Sequence, residues 1–198
     1  MPQATSQSLA PSFSPLRLHE RSFLWQVAAV AAGTLILALS SHVEVPMVPV
    51  PMTMQTFAVT LVGALYGWRL GAITIVAWLA QAAIGFPVLA GGSGGLHHFA
   101  GPTAGYLFAF PIVGGLVGWL AERGWNGKRV ILAFAAALIG NALCLALGAI
   151  WLAGMIGLEQ AIALGVTPFV LGGVLKSALA AAALKASSSA RRVTQSGS

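Results

Sequence analysis

Residues 130–153 read VILAFAAALIGNALCLALGAIWLA, an uncharged apolar run in which Asn141 is the one strongly polar side chain. A helix needs roughly 20 such residues to cross the hydrocarbon core of a bilayer, so this stretch predicts a membrane span. Comparable runs cover 22–41, 53–67, 70–90, 102–121 and 166–184, each long enough or nearly so for a span, which predicts six transmembrane helices. The 198-residue composition agrees, with 58% hydrophobic and 7% charged residues and a mean hydropathy of +0.87. Soluble domains carry about 25% charged residues; so little charge cannot cover this much apolar surface in water. The expected fold class is an all-α integral membrane protein. Its expected parts are a polar tail over 1–20, which lacks the apolar region of a signal peptide, a six-helix domain over 21–186, and a polar tail over 187–198.

The charges orient this arrangement. With the N-terminus inside, the inner segments hold Arg17, Arg21, Arg69, Arg123, Lys128, Arg129, Lys185, Arg191 and Arg192, and the outer loops hold His42, Glu44, His97, His98 and Glu159. Nine of the ten basic residues then face one side, and the tenth, Lys176, lies inside the last span. This is the distribution of the positive-inside rule, and it predicts that both termini are cytoplasmic. The net charge of +6 therefore reads as membrane topology and not as a nucleic-acid surface. Trp25, Trp68 and Trp125 fall near the inner boundary and Trp151 near the outer one, whereas Trp78 must sit deeper. One cysteine, Cys144, and no aspartate exclude an internal disulfide, a cysteine-based metal site and aspartate-dependent chemistry.

Small residues recur four apart in the first, second and fourth spans, as Ala28 with Ala32, Gly63 with Gly67, and Gly114 with Gly118. Such pairs let helices approach closely, within the bundle or at a partner. Pro46, Pro49 and Pro51 cannot continue a helix and predict an extended or re-entrant entry to the second span. Gly91-Gly92-Ser93-Gly94-Gly95 predicts a flexible loop between the third and fourth spans.

Lys176 is the most informative single residue. A charge near the bilayer centre costs at least ~2.5 kcal/mol on insertion scales and normally faces a cavity or a partner. It lies nine residues before Lys185, about 14 Å along a helix and too deep for easy snorkelling. No span contains an acid to pair with it, so a ligand carboxylate suits it; bonding to helix carbonyls is the structural alternative. Asn141 has a similar depth and offers donors and an acceptor, for a ligand amide or for a neighbouring helix. Gln55 and Thr53 lie near the outer mouth, Thr53 equally suited to capping the second helix. Ser93 fits the patterns of serine hydrolases, including intramembrane ones, but its only neighbouring histidines, His97 and His98, share its loop and no acid orients them. Backbone amides of that loop approaching a ligand explain its glycines better. Gly127-Lys128 lacks the rest of a phosphate-binding loop.

Three ordered motifs then carry a resemblance: Val50-Pro51-Met52-Thr53-Met54-Gln55-Thr56-Phe57-Ala58-Val59, Gly85-Phe86-Pro87-Val88-Leu89-Ala90-Gly91-Gly92, and Gly101-Pro102-Thr103-Ala104-Gly105-Tyr106. With Gly140-Asn141, Gly148, Trp151 and the run Pro168–Lys176, they make the chain resemble, over about 25–180, the BioY-type biotin transporters, the substrate-binding S components of energy-coupling-factor (ECF) transporters. The resemblance implies a six-helix S-component fold, making 21–186 a substrate-binding domain with a biotin site open to the outside. It implies that Lys176 contacts biotin through its carboxylate, with Asn141, Gln55, Tyr106 and the Gly91–Gly95 loop as further lining, and Thr53 at the mouth. It implies no cofactor beyond the transported biotin. Implied partners are the lipid bilayer and, where an energising module is used, a transmembrane coupling subunit that Ala28 and Ala32 would meet and two cytoplasmic ATPases. One departure stands out: where the family commonly has an acid three residues before the lysine, this chain has Gly173. That position shares a helix face with Lys176, and the lost acid favours, as alternative, an S component or permease for another small carboxylated molecule.

Overall fold

The computed structural model describes residues 22–196, with side chains up to residue 189. The expected tail over 1–20, with Arg17, and Arg21 beside it, lies outside the described residues, as do the side chains of Arg191 and Arg192. The order of elements is α1 (Phe23–His42), β1 (Glu44–Val45), β2 (Met52–Thr53), α2 (Gln55–Tyr66), α3 (Trp68–Ala83), α4 (Ala104–Glu122), α5 (Val130–Ile156), α6 (Leu158–Gly165) and α7 (Phe169–Ser196). Two short 3-10 turns, Ala90–Gly92 and Leu96–Phe99, lie between α3 and α4. The protein is therefore helical apart from one two-stranded hairpin, which pairs Glu44 with Thr53 and Val45 with Met52.

Each of the six apolar runs contains a helix, but they differ in length. By length and composition four are able to cross a membrane: α1, α4, α5 and α7 over Phe169–Ser189. α2 has 12 residues and α3 has 16, roughly 18 and 24 Å of rise. The reasons are local. The proline-bearing segment ahead of α2 is the hairpin, with a cis Val48–Pro49 bond, so helix starts only at Gln55. α3 stops at Ala83 and not near residue 90, because Gly85 has φ +101° and Pro87 follows. Between the two, Gly67 (φ +82°) ends α2 and starts α3, and the Glu122 carboxylate accepts the Trp68 N–H at 3.1 Å. α6 is absent from the hydropathy reading: it is an eight-residue turn of helix between Gly157 and Val166, burying Ala161 and Gly165 and exposing Leu158 and Ile162. α7 stays helical through Ser196, past the end of its apolar run.

α4 is the hub, packed on α2, α3 and α5, while α1 is the most exposed of the long helices. Its inner contacts need glycine. A Cβ at Gly63 on α2 would strike the Gly114 carbonyl of α4, one at Gly71 on α3 would lie 2.9 Å from Gly63 Cα, and one at Gly118 would lie 2.6 Å from the Gly67 carbonyl carbon. The small-residue pairs on α2 and α4 thus serve the bundle itself, whereas Ala28 and Ala32 stand on the exposed face of α1. Trp78 is fully buried and donates to the Val88 carbonyl at 3.0 Å. Trp151, half exposed, donates to Gly101 O at 3.0 Å.

Candidate functional site

The shortness of α2 and α3 leaves space at one end of the bundle, closed over by the hairpin and the turns between α3 and α4. A cavity of about 340 Å³ occupies it, within the range of small-molecule sites. Three helices begin at its wall: α2 through Gln55 and Thr56, α4 behind Thr103, and α7 at Phe169. Each N-terminus carries a partial positive charge of about half a unit, so the backbone alone makes the space favourable for an anion.

Lys176 adds a full charge. It lines the cavity from α7, and its Nζ donates to Thr56 Oγ1 at 3.3 Å. No acidic side chain lines the cavity among the described residues, so the lysine is balanced by hydroxyl contact only. Asn141 lines the cavity from α5, packed against the same turns of α7 that carry Lys176. Its Nδ2 donates to its own helix at Ala137 O (3.0 Å) and to Ser177 Oγ on α7 (3.0 Å), and Ser177 in turn donates to Gly173 O at 2.7 Å. The interhelical role is therefore met by the amide nitrogen, and Oδ1 is the end left for a ligand. Gly173 also lines the cavity; a Cβ there would sit 3.7 Å from Asn141 Cβ, an ordinary contact, so glycine here leaves room instead of relieving a clash.

At the mouth, Thr53 receives the Gln55 N–H (3.3 Å) and donates to Gln55 Oε1 (3.0 Å), while Gln55 Nε2 donates to Ser41 Oγ of α1 (2.9 Å). Thr53 thus accepts the first N–H of α2, whose N-cap position is Met54, and it also lines the cavity. Tyr106 lines the cavity from α4, its hydroxyl donating to Gly165 O at 2.8 Å, which ties α6 to the wall. Its ring lies on Gly148, where any side chain would collide with it.

The glycine loop is a built turn, with φ +66° at Gly91 and Gly92 and +111° at Gly95, and a Leu89–Ser93 bridge. Ser93 lines the cavity. Gly91 and Gly92 do not: Gly91 borders a separate shallow hollow with Glu44 and Met47, and Gly92 lies against the His42 ring. The Ser93 hydroxyl donates to Ala90 O at 2.6 Å, and neither His97 nor His98 bonds to it. Among the described residues no three histidine, cysteine or acidic side chains converge as a metal site would require. Thr56, Ser177, His97 and His98 belong to this region without having stood out as ligand groups in the sequence. Burial, and then the neighbouring His97, holds the His98 imidazole below its ordinary pKa.

Comparison with known proteins bears on the family and the fold. A BioY family model matches residues 11–193. The probable biotin transporter BioY of Pyrococcus horikoshii is 36% identical over 155 residues, covering 78% of this chain and 91% of that protein. The biotin transporter BioY of Rhizobium etli is 38% identical over 161 residues, covering 78% and 86%. A crystal structure of the S-component for biotin from an ECF-type ABC transporter superposes with a TM-score of 0.71 at 26% identity, covering 82% of this chain and 89% of that one. Matched by the family model over almost its whole length, the chain belongs to the BioY family.

Proposed function

We propose that this protein binds biotin from outside the cell and takes it up across the cytoplasmic membrane, as the substrate-binding S component of an ECF-type transporter or on its own. The observation that carries this reading is Lys176, a cation facing a largely apolar cavity with no acid in its lining. Biotin supplies what such a cavity lacks: a carboxylate for the lysine, an apolar chain and ring for Phe110, Leu107 and Phe169, and a ureido group for the Asn141 acceptor. Membership of a transporter family, and a Ser93 hydroxyl committed to backbone, make this a carrier and not an enzyme.

The same reading completes the topology. α2 and α3, though short, join α1, α4, α5 and α7 as six crossings with both termini cytoplasmic, residues 21–186 forming the substrate-binding domain between cytoplasmic tails. The exposed α1 face around Ala28 and Ala32 is where a coupling subunit would dock, carrying two ATPases beneath it.

The test is equilibrium binding of labelled biotin to the detergent-purified protein, with biotin methyl ester and other carboxylated vitamins as competitors. Tight binding that the ester competes for poorly supports both biotin and a carboxylate partner for Lys176. A folded protein that ignores biotin but binds another carboxylate would favour the second reading, a changed ligand, to which the unfilled space at Gly173 points.

A further inference from the structure

His98 holds the single solvent-shielded side-chain nitrogen or oxygen that lacks a hydrogen bond among the described residues, its Nε2. The ring borders the cavity and stacks on His97, centroids 4.1 Å apart. Most buried polar groups find partners, and one that does not calls for an explanation. Local structure provides none: the turn is held by its backbone, His98 N to Gly95 O at 3.3 Å and Ala100 N to His97 O at 3.2 Å. Of the other polar side chains in the lining, Gln55 is engaged with Ser41 and Thr53, Ser93 with Ala90, and Tyr106 with Gly165, whereas Thr103 and His97 are solvent-accessible.

We propose that His98 is a specificity-determining residue whose Nε2 hydrogen-bonds the polar end of the ligand that points away from Lys176. This deepens the biotin reading and rests on it. His98 lies in the turn ahead of α4 and Lys176 on α7, so the ligand is held between two elements, by groups at its two ends. Neutral imidazole either donates or accepts at Nε2, according to tautomer, and so serves an amide-like or a carboxylate end. The ring borders the cavity with Nε2 shielded, so the contact requires the side chain to turn toward the ligand. Two-ended attachment measures length: a ligand one methylene shorter or longer satisfies one end at the expense of the other.

The experiment uses His98→Phe and His98→Gln in the full chain, measuring labelled-biotin affinity, competition by the biotin homologue with one methylene less, and the unfolding temperature without biotin. His98→Phe should bind biotin roughly tenfold more weakly, the loss of one buried hydrogen bond, and should discriminate less against the short homologue. Its unfolding temperature should hold or rise, because an unpaired polar atom has been removed. His98→Gln, which keeps a donor and an acceptor, should recover most of the affinity. Wild-type affinity in His98→Phe would overturn the proposal. So would a fall in unfolding temperature that tracks the affinity loss, or failure of His98→Phe to fold, since the ring would then be holding the turn. Failure of the folded wild type to bind biotin is read separately and would remove the biotin assignment and this inference together.

Discussion

Lys176 illustrates how one residue is legible where its surroundings are not. A charge in an apolar helix is visible in any sequence, because burying it costs too much to be accidental. Its contact Thr56, and Ser177, which fixes the Asn141 amide, are hydroxyls of a kind found in many helices, so only the packing of α7 against α2 and α5 reveals them. Gly91 and Gly92, whose sequence suggested approach to a ligand, adopt left-handed backbone and are not in the lining of the cavity. Lys176→Ala should weaken biotin binding about 10- to 100-fold, as expected for loss of a charge-assisted hydrogen bond, with Lys176→Arg intermediate. Its unfolding in denaturant should change little, because no acid is left behind unpaired; equal affinity in wild type and Lys176→Ala would remove the lysine from the site. Ser93→Ala should leave biotin uptake by whole cells intact and the protein should resist labelling by fluorophosphonate, since its hydroxyl is bound to Ala90 O.

Among the elements, hydropathy located the helices, and glycine and proline set their ends. What hydropathy could not give was length, because an apolar residue in a turn scores like one in a helix. Residues 84–89 are largely apolar yet lie outside helices, as do Val166 and Pro168, and α6 is too short and mixed to register. The glycines that allow helices to touch are likewise distinguishable only by their neighbours. Gly63→Ala should destabilise the protein by about 1–3 kcal/mol, the usual cost of overpacking, because the new methyl group would meet backbone that cannot swing away. Gly154→Ala, with no atom within 4 Å, should be neutral or stabilise α5 by about 0.5–1 kcal/mol. Reversible unfolding in mixed micelles compares the two, and similar effects at both sites would refute the packing argument.

At the scale of the whole molecule, orientation rests on charge placement and is open to direct measurement. Cys144 is 1% exposed, though it lines the cavity, so the unaltered protein serves as the control for thiol labelling. Val48→Cys, at a position 89% exposed in the hairpin, should react with a membrane-impermeant maleimide on intact cells, and Ser189→Cys only after permeabilisation. The reverse pattern would invert the topology. A final consequence follows from the twelve residues of α2. Its roughly 18 Å of rise spans little more than half of a hydrocarbon layer about 30 Å thick. On the proposed six-crossing topology, an anion resting over the first turn of α2 lies below the outer edge of the insulating layer. Like a capacitor with one plate let in, such an arrangement narrows the dielectric gap before any movement begins, and what a transport cycle must still carry the charge across is the thinner remainder.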